Sequence, residues 1–302
     1  MRRHSAERLP HLAVTPEIHH VWPVMTRIAT LPERGVIRIA GEDRVSFLQG
    51  LVSNDVASVA PGHGIWAALL TPQGKWLADF FVLSEGTSLL LDVERAHLAV
   101  LLERLKRFRL RSKVSIDELA ERAVYAAWGG APDVDATAHD VTAAPDPRLP
   151  EAGWRLIASR PLPTNATAAE WDIHRLSLGL PDGSRDLESD KTVLLEAGFD
   201  ELNGVSWSKG CYLGQELTAR TKYRGLVKRR LIPVDVDGPL PPSGTPVFRD
   251  TTEVGTMRSG HADRGLALLR LDALAATLTC GGARLTPRIP AWMCLSQRAD
   301  AG

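Results

Sequence analysis

Residues 64–93 read GIWAALLTPQGKWLADFFVLSEGTSLLLDV, which is three apolar runs separated by two turn signals. The runs Ile65–Leu70, Trp76–Leu83 and Leu89–Val93 have the length and composition of β-strands. The connection from Thr71 to Gly74 has proline second and glycine fourth, as a type I turn prefers, and Glu85-Gly86 forms the second connection. Because such short connections join antiparallel neighbours, the stretch predicts an antiparallel meander.

Helical patterns flank this meander on both sides. Gly35–Ala40 has the pattern of a short strand, and Asp43–Gly50 that of a short helix with an acidic start. A second helix is predicted from about Glu94, because leucines at 98, 101, 102 and 105 form an apolar stripe with helical spacing. The N-terminal part of the chain therefore combines helices with an antiparallel sheet.

A second α+β segment follows. Ala123–Trp128 and Trp154–Ser159 are predicted strands, and residues 131–150, rich in Pro, Asp and Ala, are predicted to form a loop or linker. Ala168–Leu178 is predicted to be a helix that ends at Gly179. After a boundary near Arg229, short strands alternate with Pro/Gly turns, which is typical of a small β-barrel or sandwich.

Composition excludes several classes of function. The 302 residues carry 36 basic and 36 acidic side chains, so no global field would attract nucleic acid or a membrane, and we expect neither as a partner. Three cysteines without close pairing indicate a reducing compartment rather than a disulfide framework. No spacing of cysteines or histidines predicts a metal site within the chain.

The motif KGCYLGQELTART, residues 209–221, contains the cysteine with the most polar surroundings. Cys211 is a candidate nucleophile, ligand or redox group, because the nearby cation of Lys209 favours a reactive thiolate. A small buried hydrophobe is an equally good interpretation from spacing alone. Since one cysteine cannot hold an iron–sulfur cluster, Cys211 could be a cluster ligand only together with a partner.

Residues around the cysteine add binding chemistry. Gln215 and Glu216 could bond the amide and amine edges of a flat heterocycle. Basic residues outnumber acidic ones between Lys209 and Arg230, which indicates either an anion site or a basic strand edge that blocks aggregation.

These stretches resemble a known family. RVSFLQGLVSNDV, WAALLTPQGKWLADFFVL, RLSLGLPDGSRDL and the segment containing KGCYLGQELTART resemble the landmarks of YgfZ-type folate-binding proteins, relatives of the glycine-cleavage T-protein, an aminomethyltransferase. The resemblance spans Gly35 to Val234 and is strongest to the iron–sulfur cluster assembly factor branch. It implies a three-lobed α+β fold: a folate-binding region at 20–228 whose two lobes separate near 120–165, and a C-terminal β-barrel at 229–302.

The resemblance also implies a function and a site. It implies a tetrahydrofolate-binding protein, with folate itself or a one-carbon derivative, that assists assembly or repair of iron–sulfur clusters with A-type carrier or client proteins as partners. Expected compartments are the bacterial cytoplasm or, in a eukaryote, the mitochondrial matrix. The implied catalytic residues are Cys211, Lys209 and Asp79. The implied folate-binding residues are Glu196, Tyr212, Gln215, Glu216, Arg220 and Asp79.

Two alternatives stay open. Aminomethyltransferases carry a glutamate where this chain has Ser177, which weakens the hypothesis of one-carbon transfer with Asp79 as acid/base group. A solvent-facing position on its strand is an equally good interpretation of Asp79. The second alternative is a non-catalytic interaction protein with a vestigial folate pocket.

Overall fold

The computed structural model describes residues 25–295. Its first sheet has five antiparallel strands in the order β3-β4-β5-β2-β6. The strands are β2 (Arg34–Ala40), β3 (Ile65–Leu70), β4 (Trp76–Glu85), β5 (Ser88–Glu94) and β6 (Ser115–Glu118). The antiparallel pairing of β3 with β4 and of β4 with β5 confirms the meander predicted from residues 64–93.

Both faces of this sheet are covered. Helices α1 (Arg44–Gln49) and α2 (Arg95–Phe108) accompany one face, where Phe80 and Val82 of β4 pack with Leu98, Leu101 and Leu105 of α2. Residues 81 and 83 of β4 point to the other face and join a second core that reaches the rest of the chain. The meander strands β3, β4 and β5 are therefore largely buried on both sides, whereas the edge strand β6 is mostly exposed.

A second sheet has four strands in the order β1-β7-β9-β8. They are β1 (Arg27–Thr30), β7 (Ala123–Trp128), β8 (Val141–Pro145) and β9 (Trp154–Ala158). The prediction that residues 131–150 form a loop or linker is wrong for part of the segment, which contains the short helix α3 (Ala136–His139) and β8. The sequence does not predict strand β8, because it is a weakly apolar edge strand that is defined by its ladder with β9 rather than by its own hydrophobic pattern.

Helix α4 (Ala168–Leu178) follows this sheet. It begins at a capping box formed by Thr167 and Glu170 and ends at Gly179, whose φ of 76° is left-handed. Helix α5 (Gln215–Tyr223) is the last helix before the barrel. Among residues 25–295, no helix is long and apolar enough to cross a membrane.

Six antiparallel strands close the C-terminal barrel in the order β10-β13-β12-β11-β14-β15. They are β10 (Arg229–Asp237), β11 (Pro246–Arg249), β12 (Thr252–His261), β13 (Arg264–Arg270), β14 (Leu278–Cys280) and β15 (Ala283–Pro287). The α+β class with antiparallel sheets and a C-terminal β-barrel is thus confirmed. The predicted domain limits include residues 20–24 and 296–302, which lie outside the described residues.

A buried ionic cluster joins the three parts. Arg175 of α4 is 1% exposed and donates to Asp172, to Asp186 and to the hydroxyl of Ser259 on β12. Arg155 of β9 approaches Asp92 of β5 to 3.7 Å, which links the two sheets. These charges are buried, so they depend on their bonding partners. Arg175 has a partner in the barrel, and Arg155 has one in the other sheet.

Candidate functional site

A cleft of about 700 Å³ lies beside Cys211. Its size is that of a small-molecule site. The cleft is lined by residues from the loop at positions 209–214, which we call the Cys211 loop, from α5 and from the segments next to them. These residues are Ser206, Trp207, Gly210, Tyr212, Gln215, Glu216, Ala219, Arg220, Tyr223 and Arg224. Four of the residues predicted to bind folate, Tyr212, Gln215, Glu216 and Arg220, are therefore brought together.

The Cys211 loop is fixed by a contact between two glycines. Gly214 has a φ of 78°, and a Cβ there would lie 2.4 Å from the carbonyl oxygen of Thr71. Gly74, at the end of the turn between β3 and β4, has a φ of 80° and would in turn clash with the Gly214 carbonyl at 2.6 Å. The turn and the start of α5 can pack this closely only because both positions lack a side chain.

Lys209 anchors the other end of the loop. Its Nζ donates to the carbonyl oxygens of Gln49 and Val52, each at 2.6 Å, and lies 5.1 Å from the ring centroid of Tyr212. Burial lowers the pKa of Lys209 to about 8. These carbonyl bonds could not be predicted from the sequence, and the activation of Cys211 by Lys209 stays a prediction.

Cys211 itself is exposed, and it follows Gly210, which has a φ of 94° and no atom within 4 Å of where a Cβ would lie. The interpretation of Cys211 as a small buried hydrophobe is therefore wrong. Cys280 is buried in the barrel, where its Sγ donates to the carbonyl of Thr245, and Cys294 is exposed near Glu201. Of the three thiols, Cys211 is the one beside the cleft.

The wall of the cleft contains aromatic residues that sequence reasoning missed. Trp207 donates through Nε1 to Asp200 at 2.6 Å, and the ammonium of Lys222 lies 4.2 Å from its ring centroid. Tyr223 meets the same indole edge-on, with ring centroids 6.2 Å apart. The usable signal was the placement of one aromatic residue on each side of the motif, at 207 and 223.

Asp79 lies elsewhere, in the core. It is 5% exposed, so the interpretation as a solvent-facing residue is wrong. Its two carboxylate oxygens accept the indole N–H groups of Trp66 at 2.8 Å and of Trp76 at 3.1 Å. Burial raises the pKa of Asp79 to about 6, although Arg34 and Trp66 act in the opposite direction. Such a carboxyl could exchange a proton near neutral pH, but Asp79 does not line the Cys211 cleft.

Glu196 occupies a third place. It lies in the short 3₁₀ helix Leu194–Ala197 and forms an ion pair with Arg229 at 3.4 Å. Like Asp79, it is absent from the lining of the cleft. The predicted site residues thus fall into three places, and the roles assigned to Asp79 and Glu196 stay predictions.

Comparisons with known proteins agree with this architecture. Residues 228–295 match the family described as "CAF17, C-terminal beta-barrel domain". The human protein "Iron-sulfur cluster assembly factor IBA57, mitochondrial" is 32% identical over 302 aligned positions, which cover 90% of this chain and 85% of the relative. Its mouse counterpart is also 32% identical, over 82% of this chain and 78% of the relative.

The chain belongs to the IBA57 family of iron–sulfur cluster assembly factors. A homologue from Mycosarcoma maydis is 35% identical over 72% of this chain, but the match spans only 59% of that relative's length. The match with the Neurospora crassa homologue spans 53% of that relative's length. The resemblance of the sequence to the assembly-factor branch is confirmed.

The fold also has a match among solved structures. The crystal structure of glycine cleavage system aminomethyltransferase T from Bartonella henselae superposes with a TM-score of 0.70 over 89% of this chain and 86% of that one. At 14% identity the likeness concerns the fold alone. It confirms the predicted T-protein-like fold.

Replacing Gly214 tests the contact that fixes the loop. We expect Gly214→Ala to lower the free energy of unfolding by roughly 2–4 kcal/mol, because strain at positive φ adds to the clash with Thr71. Gly210→Ala is the matched control, since its φ is also positive but no atom lies within 4 Å of the new Cβ. Urea unfolding measures both. Equal losses for the two variants would show that the close contact contributes nothing.

The raised pKa of Asp79 predicts a pH dependence. The folded protein holds this proton more tightly than the unfolded chain, so the contribution to stability is complete below about pH 4 and is lost as pH rises through about 6. The loss for the wild type amounts to about 3 kcal/mol. We expect Asp79→Asn to gain stability relative to wild type over this interval, measured by urea unfolding at several pH values.

The control for this titration is Asp263→Asn, because the Asp263 side chain is 78% exposed. Urea unfolding of this control at the same pH values measures the effect of removing an exposed carboxyl. A difference between Asp79→Asn and wild type that does not change with pH would contradict the raised pKa.

Proposed function

We propose that this protein assists the assembly or repair of iron–sulfur clusters through a face of the molecule centred on Cys211. The observation that carries the proposal is an exposed thiol at the rim of a ligand-sized cleft. Membership of the IBA57 family, whose relatives are named as assembly factors, supports it. An exposed thiol is open to another protein or to a cluster presented by that protein, whereas the buried thiol of Cys280 is not.

The ligand count favours action together with a partner. An iron–sulfur cluster takes about four ligands. Among residues 25–295 no three His, Cys, Asp or Glu side chains are grouped so that they could hold a metal ion. We therefore propose that Cys211 supplies one ligand to a cluster, and that an iron–sulfur carrier or client protein supplies the others.

We also propose tetrahydrofolate, or a one-carbon derivative, as the ligand of the Cys211 cleft. The residues present fit its chemistry. Gln215 and Glu216 offer hydrogen-bonding groups to the pterin edge, Tyr212 and Trp207 offer aromatic surface, and Arg220 offers a cation to the carboxylate tail. Bound folate would supply a one-carbon carrier, while these side chains bind and orient it.

Aminomethyl transfer by this chain is less well supported. Asp79, its predicted acid/base group, already bonds two indole N–H groups and does not line the cleft. The Ser177 hydroxyl, where the enzymes carry a glutamate, donates to the backbone carbonyl of His174 at 2.6 Å. A vestigial folate pocket stays the other alternative, and a folate titration decides it.

The relatives named above are mitochondrial proteins. For this chain we propose the mitochondrial matrix if its source is a eukaryote and the cytoplasm if it is a bacterium. Both compartments keep exposed thiols reduced, as an exposed Cys211 requires.

Cys211→Ser tests the central proposal. We expect cells that carry only this variant to lose most of the activity of their iron–sulfur enzymes, because the hydroxyl is a poor iron ligand and a poor nucleophile. Cys294→Ser is the matched control, since Cys294 is also exposed but lines a different cavity, with Glu201 and Arg230. The measurement is the activity of cluster-dependent enzymes at equal protein level. Full activity with Cys211→Ser would refute the role of the thiol.

A calorimetric titration with tetrahydrofolate tests the second proposal. We expect wild type to bind, and Gln215→Ala and Arg220→Ala to bind at least about tenfold more weakly, since each loses a hydrogen-bonding or charged group of the cleft. Glu196→Ala should bind like wild type. If Glu196→Ala instead loses binding while the other two retain it, the folate site is not the Cys211 cleft. If the wild-type protein does not bind tetrahydrofolate, the alternative of a vestigial folate pocket is supported.

A further inference from the structure

The segment that follows α5 exposes apolar side chains. Tyr223 at the end of the helix is 76% exposed, and Leu226 is 48% exposed. Val227, between Leu226 and Lys228, instead packs against the central core. The core therefore holds this segment in place while neighbouring apolar groups point into water. Two such side chains three residues apart form a small apolar surface that nothing in residues 25–295 covers.

Uncompensated positive charge surrounds this apolar surface. Arg224 and Lys228 are exposed, and neither forms an ion pair with any described residue. The other cations of the same segment are neutralised: Lys222 pairs with Asp200, Arg229 with Glu196 and Arg230 with Glu201. The segment thus leaves two cations, Arg224 and Lys228, next to Tyr223 and Leu226. We call these four residues the Tyr223 patch.

The patch is continuous with the Cys211 cleft. Tyr223 and Arg224 line the cleft, and the Tyr223 ring contacts that of Trp207, which also lines it. Cys211 lies in sequence between Gly210 and Tyr212, which also line the cleft. A protein bound to the patch would therefore contact the same cleft that the Cys211 loop borders.

A purely structural explanation accounts for part of the patch. Arg220 and Lys222 in the last turn of α5, and Arg224 at its C-cap, complement the helix dipole, which explains these three cations. It does not explain Lys228, which lies beyond the helix, or the exposure of Tyr223 and Leu226. Tyrosine and arginine are the residue types that dominate the binding energy of protein interfaces, and unpaired surface charges steer association.

We propose that the Tyr223 patch is the docking surface for an iron–sulfur carrier protein whose facing surface presents Asp and Glu carboxylates around an apolar depression. Tyr223 and Leu226 enter the depression, and Arg224 and Lys228 pair with the carboxylates. The inference rests on the proposed function, because it assigns the partner that meets Cys211. Single-stranded nucleic acid, which also takes cations and an aromatic face, is the competing occupant.

The test measures the affinity of the full chain for a purified, cluster-loaded A-type carrier from the same organism at about 50 mM and about 500 mM NaCl. We expect Tyr223→Ala/Leu226→Ala to weaken binding at least about tenfold at both salt concentrations. Arg224→Glu/Lys228→Glu should weaken binding at least about tenfold at low salt and less at high salt, where charges are screened.

Arg109→Glu/Arg111→Glu is the matched control, because it makes the same charge change at two exposed arginines after α2. It should bind within about twofold of wild type. Wild-type affinity in both patch variants, or an equal loss in the control, would overturn the inference. So would a labelled oligothymidylate that competes with the carrier and loses binding in the patch variants.

The two proposals fail in different ways. If Cys211→Ser loses enzyme support while the patch variants bind the carrier normally, or while wild type does not bind it, the docking surface is wrong and the proposed function stands. If Cys211→Ser retains full support, the proposed function fails, whatever the patch variants do.

Discussion

The arrangement of α4, the loop after it and the barrel depends on the hydrogen bonds of the buried Arg175 guanidinium. It is 1% exposed and donates to two carboxylates, to the carbonyl of Leu180 and to the hydroxyl of Ser259. Asp186 completes the arrangement by accepting from both the backbone N–H and the hydroxyl of Ser259. A buried charge with these partners tolerates no displacement of any of them, so α4, the loop after it and the barrel strand β12 are fixed together.

This constraint reaches the cleft through the chain between α4 and α5. The segment that leaves the Arg175 cluster passes through Phe199, stacked on Trp66 with ring centroids 3.9 Å apart, and then through Gly204, whose carbonyl accepts from Ser53. These two contacts attach the segment to the first sheet before the chain reaches the Cys211 loop. The Gly74–Gly214 contact and the two carbonyl bonds of Lys209 then fix both ends of the loop. Cys211 is thus an exposed group on a rigid support.

The sequence predicted the elements whose pattern is local. The meander has apolar runs separated by strong turn signals, α4 has a capping box and a terminal glycine, and the tail has evenly spaced turns, so each could be identified from its own residues. Strand β8 could not be identified in this way. It is a short edge strand that is defined by its antiparallel ladder with the following strand β9 rather than by its own composition.

The motif of the candidate site could be predicted from the sequence, but the geometry of the site could not. Asp79 looked ambiguous because WLADFFVL is apolar on both faces, and only the second core on the side of Phe81 makes that position buried. Lys209 looked like a neighbour of the thiol because it lies two residues away, yet its ammonium bonds carbonyls near the end of α1. Long-range contacts of this kind leave no periodic trace in the sequence.

The separation of Asp79 from Cys211 bears on what the fold is used for. Burial raises the pKa of Asp79 to about 6, but both of its carboxylate oxygens already accept indole N–H groups in the core. An exposed thiol beside aromatic and cationic side chains suits contact with a macromolecule. The aminomethyltransferase-like fold does not decide between the two places, because function depends on the site and not on the fold. In this chain the ligand-sized cleft lies at the thiol, and the exposed cations and aromatic residues lie there too, which favours the function that needs a partner.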